Sequence, residues 1–157
     1  MIRYLTPEQV LFIHNRLIQS TGGESDLRDL SLMLSALGRP QTTFDGLELY
    51  PDLYSKGAAL LDSLIRNHPF LDGNKRTAIA AVGLFLIKNG FLLEVSQEEM
   101  VKFTIACAQS QVGLEEIAEW FKKNTRLLEL EERNDSKENV TLGVTLPQIK
   151  MLPNDFP

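Results

Sequence analysis

The sequence predicts an all-α domain with one small β element. Its 157 residues, 43% of them hydrophobic and 24% charged, fit a single hydrophobic core. Apolar residues recur every three or four positions through most of the first 124 residues, which is the helical period. Residues 78–87 are apolar on nearly all sides, so we expect them to form a buried central helix. An Asp-Gly pair between two short runs supplies the one strong hairpin signal.

The composition argues against several classes of protein. The net charge is −5, from 16 basic and 21 acidic residues, which disfavours a surface built for binding nucleic acid directly. A single cysteine excludes an intramolecular disulfide, and two histidines leave no His-rich metal centre. No apolar run reaches the ~18 residues of a membrane span, and the first residues lack a signal-peptide pattern. We therefore expect a cytoplasmic protein that makes no membrane contact.

The first two helices are predicted from their caps. Residues 6–9, Thr-Pro-Glu-Gln, combine a capping box with proline at the first helical position. His14 falls on the apolar face of the helix that follows, and we interpret it as a satisfied, partly buried histidine rather than a ligand. Asp26 is predicted to cap the second helix, which ends at Gly38.

The next elements are a hairpin and two long helices. Residues 42–49 predict two strands joined by the Asp45-Gly46 turn, too short for a sheet core and therefore a flap on a helical body. Pro51 begins a third helix that runs to about Asn67. After a loop, the central helix is predicted from about Asn74 to Asn89.

The last part of the chain divides into a domain end and an extension. Residues 96–99 form a second capping box, and a final helix is predicted from Leu114 to Lys123. We therefore place one domain at residues 1–124. Residues 125–157 are predicted to be a C-terminal extension, first a continuation of the helix and then an extended arm.

The stretch from Asn67 to Arg76 carries the groups with chemistry. His68 is a base near neutral pH, and Asp72 offers oxygen ligands that suit Mg²⁺. The start of the following helix has unpaired N–H groups and a positive dipole end, which favour phosphate. The predicted phosphate cradle consists of Gly73, Asn74, Lys75 and Arg76. A base, a metal ligand and a phosphate cradle together indicate phosphoryl or nucleotidyl transfer.

Simpler structural roles compete with several of these assignments. Asp72 could be only a helix N-cap, and Lys75 and Arg76 could be ordinary solvated cations. Arg66 and Asn67 could shape the site, although an arginine is expected at the end of a helix in any case.

The nine residues from His68 to Arg76, His-Pro-Phe-Leu-Asp-Gly-Asn-Lys-Arg, match the signature of the Fic-domain family. Among its members the chain is most similar to the death-on-curing (Doc) toxin subgroup. Three further segments agree, namely residues 22–29 with 35–40, residues 65–67 and residues 85–90. The resemblance covers about residues 1–124 and implies a compact Fic/Doc-type helical bundle around the central helix.

The resemblance implies a role for each site residue. His68 would take the proton from a Ser or Thr hydroxyl of a target protein, Asp72 would hold Mg²⁺, and Gly73 to Arg76 would bind the phosphates of ATP. The flap, formed by Phe44, Asp45, Gly46 and Leu47, would align a segment of the target by strand addition.

Two positions distinguish the subtypes that the resemblance offers. Lys75 stands where the adenylylating branch has glycine, and Ile79 stands where that branch has a second arginine. Both features are similar to the Doc branch, which implies a kinase that phosphorylates elongation factor Tu and blocks translation. Transfer of AMP to a hydroxyl stays open, as does an inactive scaffold that acts as a binding module.

The resemblance also implies a protein inhibitor. Some members carry an inhibitory helix of the form [Ser/Thr]-x-x-x-Glu-[Gly/Asn], and the nearest matches, residues 20–25 and 125–130, both fail at the last position. We therefore expect inhibition in trans by a small Phd-like antitoxin whose disordered C-terminal segment folds onto the toxin.

Overall fold

The computed structural model describes residues 1–128 and confirms a helical fold. In this part of the chain the helices are α1 (Pro7–Thr21), α2 (Leu30–Gly38), α3 (Leu53–Asn67), α4 (Asn74–Lys88), α5 (Gln97–Ala108) and α6 (Leu114–Lys123), with a 3₁₀ turn at Arg39–Gln41. Two small antiparallel sheets accompany them, β1 (Thr43–Phe44) with β2 (Leu47–Glu48) and β3 (Phe91–Leu93) with β4 (Thr125–Leu127).

Helix α4 is the buried central helix that the sequence predicts. Most of its residues from Arg76 to Ile87 are buried, and it packs against α1, α3, α5 and β3. Helix α3 shares the centre, because it packs against α2, the 3₁₀ turn, α4, α5 and α6. Within residues 1–128, no helix combines the length and the apolar character that a bilayer crossing requires.

The predicted cap of α1 is present in the structure, whereas the predicted cap of α2 is replaced by another residue. At α1 the capping box is confirmed, since the N–H of Gln9 donates to Thr6 Oγ1 at 3.2 Å and the N–H of Thr6 donates to Gln9 Oε1 at 3.0 Å. The prediction that Asp26 caps α2 is wrong, because Asp29 does so by accepting from the N–H of Leu32. Residues 26–29 precede α2 instead, with Leu27 bridged to Phe70.

The β1–β2 hairpin is the predicted flap. Asp45 and Gly46 have φ values of 52° and 77°, the left-handed pair that a two-residue Asp-Gly turn requires. The buried Lys56 anchors the flap, because its Nζ donates to Glu48 Oε1 at 3.0 Å and to the carbonyl of Pro40 at 3.1 Å. Burial by itself lowers the pKa of Lys56, but the bond to Glu48 works the other way and the pKa is raised overall.

The chain after α6 departs from the prediction. A continued helix is wrong for residues 125–127, which form β4 and pair with β3. The N–H of Glu94 donates to the carbonyl of Asn124 at 2.7 Å, and the N–H of Leu128 donates to that of Gly90 at 2.9 Å, so pairing replaces helical bonds. The remaining extension, including the predicted arm, lies outside the described residues, and the boundary at 124 stays a prediction.

Candidate active site

The loop between α3 and α4, residues 68–73, is held from within by a phenylalanine and an asparagine. Phe70 is 2% exposed, whereas its neighbour Leu71 is 53% exposed, so Phe70 is the apolar anchor. The side chain of Asn74 binds both backbone groups of Phe70: Oδ1 accepts from the N–H at 3.0 Å, and Nδ2 donates to the carbonyl at 2.9 Å. The side-chain amide of Asn74 is thus used to shape the loop. Only the backbone N–H of Asn74 is left to bind an anion.

His14 of α1 forms the floor of this loop. Its ring stacks on Phe70 with centroids 3.8 Å apart, and its Nε2 donates to the carbonyl of Asp72 at 2.8 Å. Burial lowers the pKa of His14, more than the bond to the Asp72 carbonyl raises it. The prediction of a satisfied, buried histidine is confirmed.

His68 lies at the C-terminal end of α3 in a left-handed conformation. Its φ and ψ are 46° and 58°, and its side chain is exposed. Arg28 binds the backbone here, with Nε donating to the carbonyl of His68 at 2.6 Å and Nη2 donating to that of Asn67 at 2.8 Å. The side chain of Asn67 donates to the carbonyl of Leu32 at 3.0 Å, which ties the end of α3 to α2.

Residues 26–29, which we call the strap, run along the outside of the loop. The N–H groups of Arg28 and Asp29 both donate to the carbonyl of Pro69, at 2.7 and 3.0 Å. The N–H of Leu71 donates to the carbonyl of Asp26 at 3.1 Å. The strap is not predicted from the sequence, because its polar residues before α2 also fit a helix cap and its pairing connects segments some forty positions apart.

Helix α4 begins at a glycine. Gly73 is the N-cap with φ 77°, and no side chain in the described chain caps this helix. A Cβ on Gly73 would lie 3.2 Å from Ile18 Cδ1, closer than most side chains pack, and the φ of +77° is itself one that favours glycine. The first turn contains Lys75 and Arg76 and no acidic residue. Such a helix start favours an anion.

Asp72 and Arg76 lie beside this helix start. The alternative that Asp72 is the helix N-cap is wrong, although its Oδ1 accepts from the N–H of Gly73 at 2.8 Å. The Asp72 side chain is 45% exposed, so it can reach a ligand. A Cβ on Gly23 would collide with Asp72 Oδ2, which shows how closely the backbone near α1 approaches this carboxylate.

Arg76 is buried rather than solvated. Its side chain is 4% exposed, it donates to Thr21 Oγ1, and its Nη2 lies 3.6 Å from Asp72 Oδ1. Among residues 1–128, nothing accepts a hydrogen bond from its Nε. A buried guanidinium is costly unless it is fully paired. This orphaned N–H and the glycine at the N-cap are the observations that fit a phosphate.

Three other parts of the predicted site are Lys75, Arg66 and the flap. Lys75 is partly exposed on the first turn of α4. The side chain of Arg66 is bound to groups outside the loop: its Nε pairs with Asp62 at 2.8 Å, and its Nη1 donates to Ser110 Oγ at 2.9 Å. Arg66 therefore joins α3 to the end of α5 instead of shaping the loop. In the flap, Phe44 and Leu47 are 75% and 74% exposed.

The donor set fits a metal that is shared with a nucleotide. Within residues 1–128, no three His, Cys, Asp or Glu side chains group together as a metal site. Mg²⁺ in nucleotide sites is commonly held by one or two carboxylates, phosphate oxygens and water. Asp72 is the carboxylate at the loop that is placed to contribute in this way.

An exposed imidazole that precedes a glycine-capped helix start with cations in its first turn is an arrangement that can serve phosphoryl or nucleotidyl transfer. Residues 4–86 match the model of the Fic/DOC family, and the chain belongs to that family. It is 48% identical over 93 residues to Toxin Doc of Mycolicibacterium smegmatis, covering 59% of this chain and 69% of that protein. It is 28% identical over 122 residues to Protein kinase doc of Escherichia phage P1, covering 78% and 95%.

Proposed function

We propose that this protein is a Doc-type toxin that transfers the γ-phosphate of ATP to a Ser or Thr hydroxyl of a translation factor. The observation that carries the proposal is the loop itself, where the exposed His68 precedes a glycine-capped helix start and a buried Arg76 with an orphaned N–H. The names of the two relatives, a toxin and a protein kinase, support the same activity.

In this mechanism the loop and the first turn of α4 divide the work between them. The imidazole of His68 accepts the proton of the target hydroxyl as that oxygen attacks the γ-phosphorus, whose bond to the bridging oxygen breaks so that ADP leaves. The first N–H groups of α4 and the guanidinium of Arg76 bind phosphate oxygens and stabilise their charge. Asp72 would hold Mg²⁺, which supplies further neutralisation of the phosphates. Lys75, at the partly exposed edge of the cradle, adds a second cation.

The surroundings of residue 79 favour transfer of the γ-phosphate over transfer of AMP. The adenylylating branch has an arginine at this position, one turn beyond Arg76. Here the position is occupied by Ile79, which is 2% exposed within the core and offers no donor to a nucleotide. The second charge of this cradle comes from Lys75 instead.

We propose two protein partners. Elongation factor Tu is the target, and the exposed Phe44 and Leu47 of the flap align its segment by strand addition. A Phd-like antitoxin is the inhibitor, acting through a C-terminal segment that folds on binding. Both partners rest on the resemblance to Doc toxins.

The proposal is tested with elongation factor Tu and ATP labelled on either its α- or its γ-phosphate. We expect label on the target from γ-labelled ATP alone, and none with His68→Ala. Label from α-labelled ATP would establish AMP transfer instead. If neither nucleotide labels the target and His68→Ala arrests growth like the unaltered protein, both enzymatic functions are wrong and a binding role is indicated.

A further inference from the structure

We propose that Arg28 is a positioning residue for His68, the base in the function proposed above. Arg28 does not touch a reactant. It lies in the strap, outside the nine-residue motif, and its side chain and backbone together bind the carbonyl groups of Asn67, His68 and Pro69. These bonds hold the imidazole at the angle from which it can take a proton.

The end of α3 needs such a partner. The last carbonyl groups of a helix have no intrahelical donor, and helices often end on glycine because the closing residue is left-handed. This helix closes on His68 at φ 46°, a conformation that is unfavourable for a residue with a Cβ. The two side-chain bonds of Arg28, at 2.6 and 2.8 Å, satisfy two of these carbonyls while His68 keeps that conformation.

The planar guanidinium explains why arginine suits this position. Its Nε and Nη2 are fixed relative to each other, so binding the carbonyls of His68 and Asn67 defines the direction of both peptide groups. The backbone N–H of Arg28 fixes the next carbonyl, that of Pro69, at 2.7 Å. The peptide groups on both sides of the His68 Cα are thereby held, and with them the direction of its side chain.

The exposure of Arg28 separates this role from support of the core. Arg28 is exposed, so removing its side chain opens no apolar cavity. The cap of α2 belongs to Asp29 and the inner anchor of the loop to Phe70, and both remain in a variant. Loss of Arg28 should therefore change the geometry of His68 more than the stability of the fold.

The first test is the kinetics of Arg28→Ala in the full chain with ATP and elongation factor Tu. We expect kcat to fall by about 10- to 100-fold, the usual effect of a displaced catalytic group, with KM for ATP changed less than about two-fold. Arg28→Lys, which can reach one carbonyl, should retain intermediate activity, and added guanidinium should restore part of the activity of Arg28→Ala. The control is Arg3→Ala, an exposed arginine about 20 Å away near the other end of α4.

The second test does not depend on activity, because the chain has only two histidines. In imidazole NMR spectra of Arg28→Ala we expect the His68 resonances to shift and those of the buried His14 to stay, with neither changed in Arg3→Ala. If the unaltered protein transfers no phosphate, the proposed function fails and this spectrum alone decides the role of Arg28. Unchanged His68 resonances, an active Arg28→Ala with normal kcat, or a loss that neither lysine nor guanidinium recovers would overturn the proposal.

Discussion

His14 and His68 are chemically alike and lie in opposite surroundings. His68 is exposed at the end of α3, while His14 is 1% exposed beneath the loop and stacked on Phe70. The helical spacing of the sequence predicts the burial of His14 from its apolar neighbours. Its bond to the carbonyl of Asp72 could not be predicted, because it joins positions 58 residues apart.

The lowered pKa of His14 predicts a pH dependence of stability. The unfolded chain takes up a proton on this residue near pH 6.5, whereas the folded chain resists it until a lower pH because the ring is buried. The contribution of His14 to the free energy of unfolding is therefore complete above pH 6.5, and it declines as the pH falls towards the lowered pKa of the folded state. Urea unfolding at pH 7.5, 6.5 and 5.5 should show this decline, by up to ~1.4 kcal/mol per pH unit. In His14→Gln the decline should be smaller by that amount, and an equal decline in both proteins would contradict this account.

Gly73 and Gly46 allow backbone strain to be separated from steric exclusion. Both have φ +77°, but a Cβ on Gly46 meets nothing within 4 Å, whereas one on Gly73 meets Ile18 Cδ1 at 3.2 Å. Alanine should cost about 1 kcal/mol at either position from the left-handed conformation, and further stability at Gly73 from the contact. Equilibrium urea unfolding of Gly73→Ala and Gly46→Ala gives the difference. Equal losses would mean that the space around Gly73 does not require glycine.

At the scale of elements, the predictions succeed where the signal is local. The capping box at Thr6 and the Asp45-Gly46 turn involve neighbouring residues, so the sequence contains them in full. The strap and the pairing of β3 with β4 depend on partners far along the chain. Asp26 and Asp29 are equally good caps by residue type, and the bond from the N–H of Leu71 to the carbonyl of Asp26 decides between them.

The structure predicts that residue 128 belongs to the folded body. Leu128 is 6% exposed and its N–H donates to the carbonyl of Gly90, whereas the preceding Leu127 is 62% exposed. Leu128→Ala should lower the free energy of unfolding by about 2–4 kcal/mol, while Leu127→Ala should cost about 0.5 kcal/mol or less. Urea unfolding of the two variants makes a matched comparison. Equal effects would mean that the chain after α6 does not pack as described.

At the scale of the molecule, four segments meet at one end of the α3–α4 pair. Helix α1 supplies the floor of the loop, the strap its outer edge, α3 the exposed imidazole and α4 the helix start. The motif predicts a site at residues His68 to Arg76, but it does not predict the contribution of Arg28 and the rest of the strap. The sequence could not show that Arg76 is buried or that Arg28 binds the carbonyls of Asn67 and His68, because both depend on the packing of distant segments. The pairs Asn74–Phe70 and Arg66–Asp62 are each only four positions apart, so their spacing allows them but does not by itself select them over other partners.

The net charge of −5 conceals a local group of positive charges at the start of α4. The first turn of α4 carries two cations and no acidic residue, on an acidic chain. This arrangement suits a small anionic ligand, because the two cations occupy adjacent positions at one helix start.

The central claim is that His68 is the base and that the start of α4 is the phosphate site. The most direct measurement is the single-turnover rate of γ-phosphate transfer to elongation factor Tu by the unaltered protein and by His68→Ala, together with calorimetric affinity for ATP and Mg²⁺. We expect the rate to fall by about 10²- to 10⁴-fold in the variant, the usual contribution of general base catalysis, with nucleotide affinity changed less than about three-fold. Transfer by His68→Ala at the rate of the unaltered protein would contradict the account.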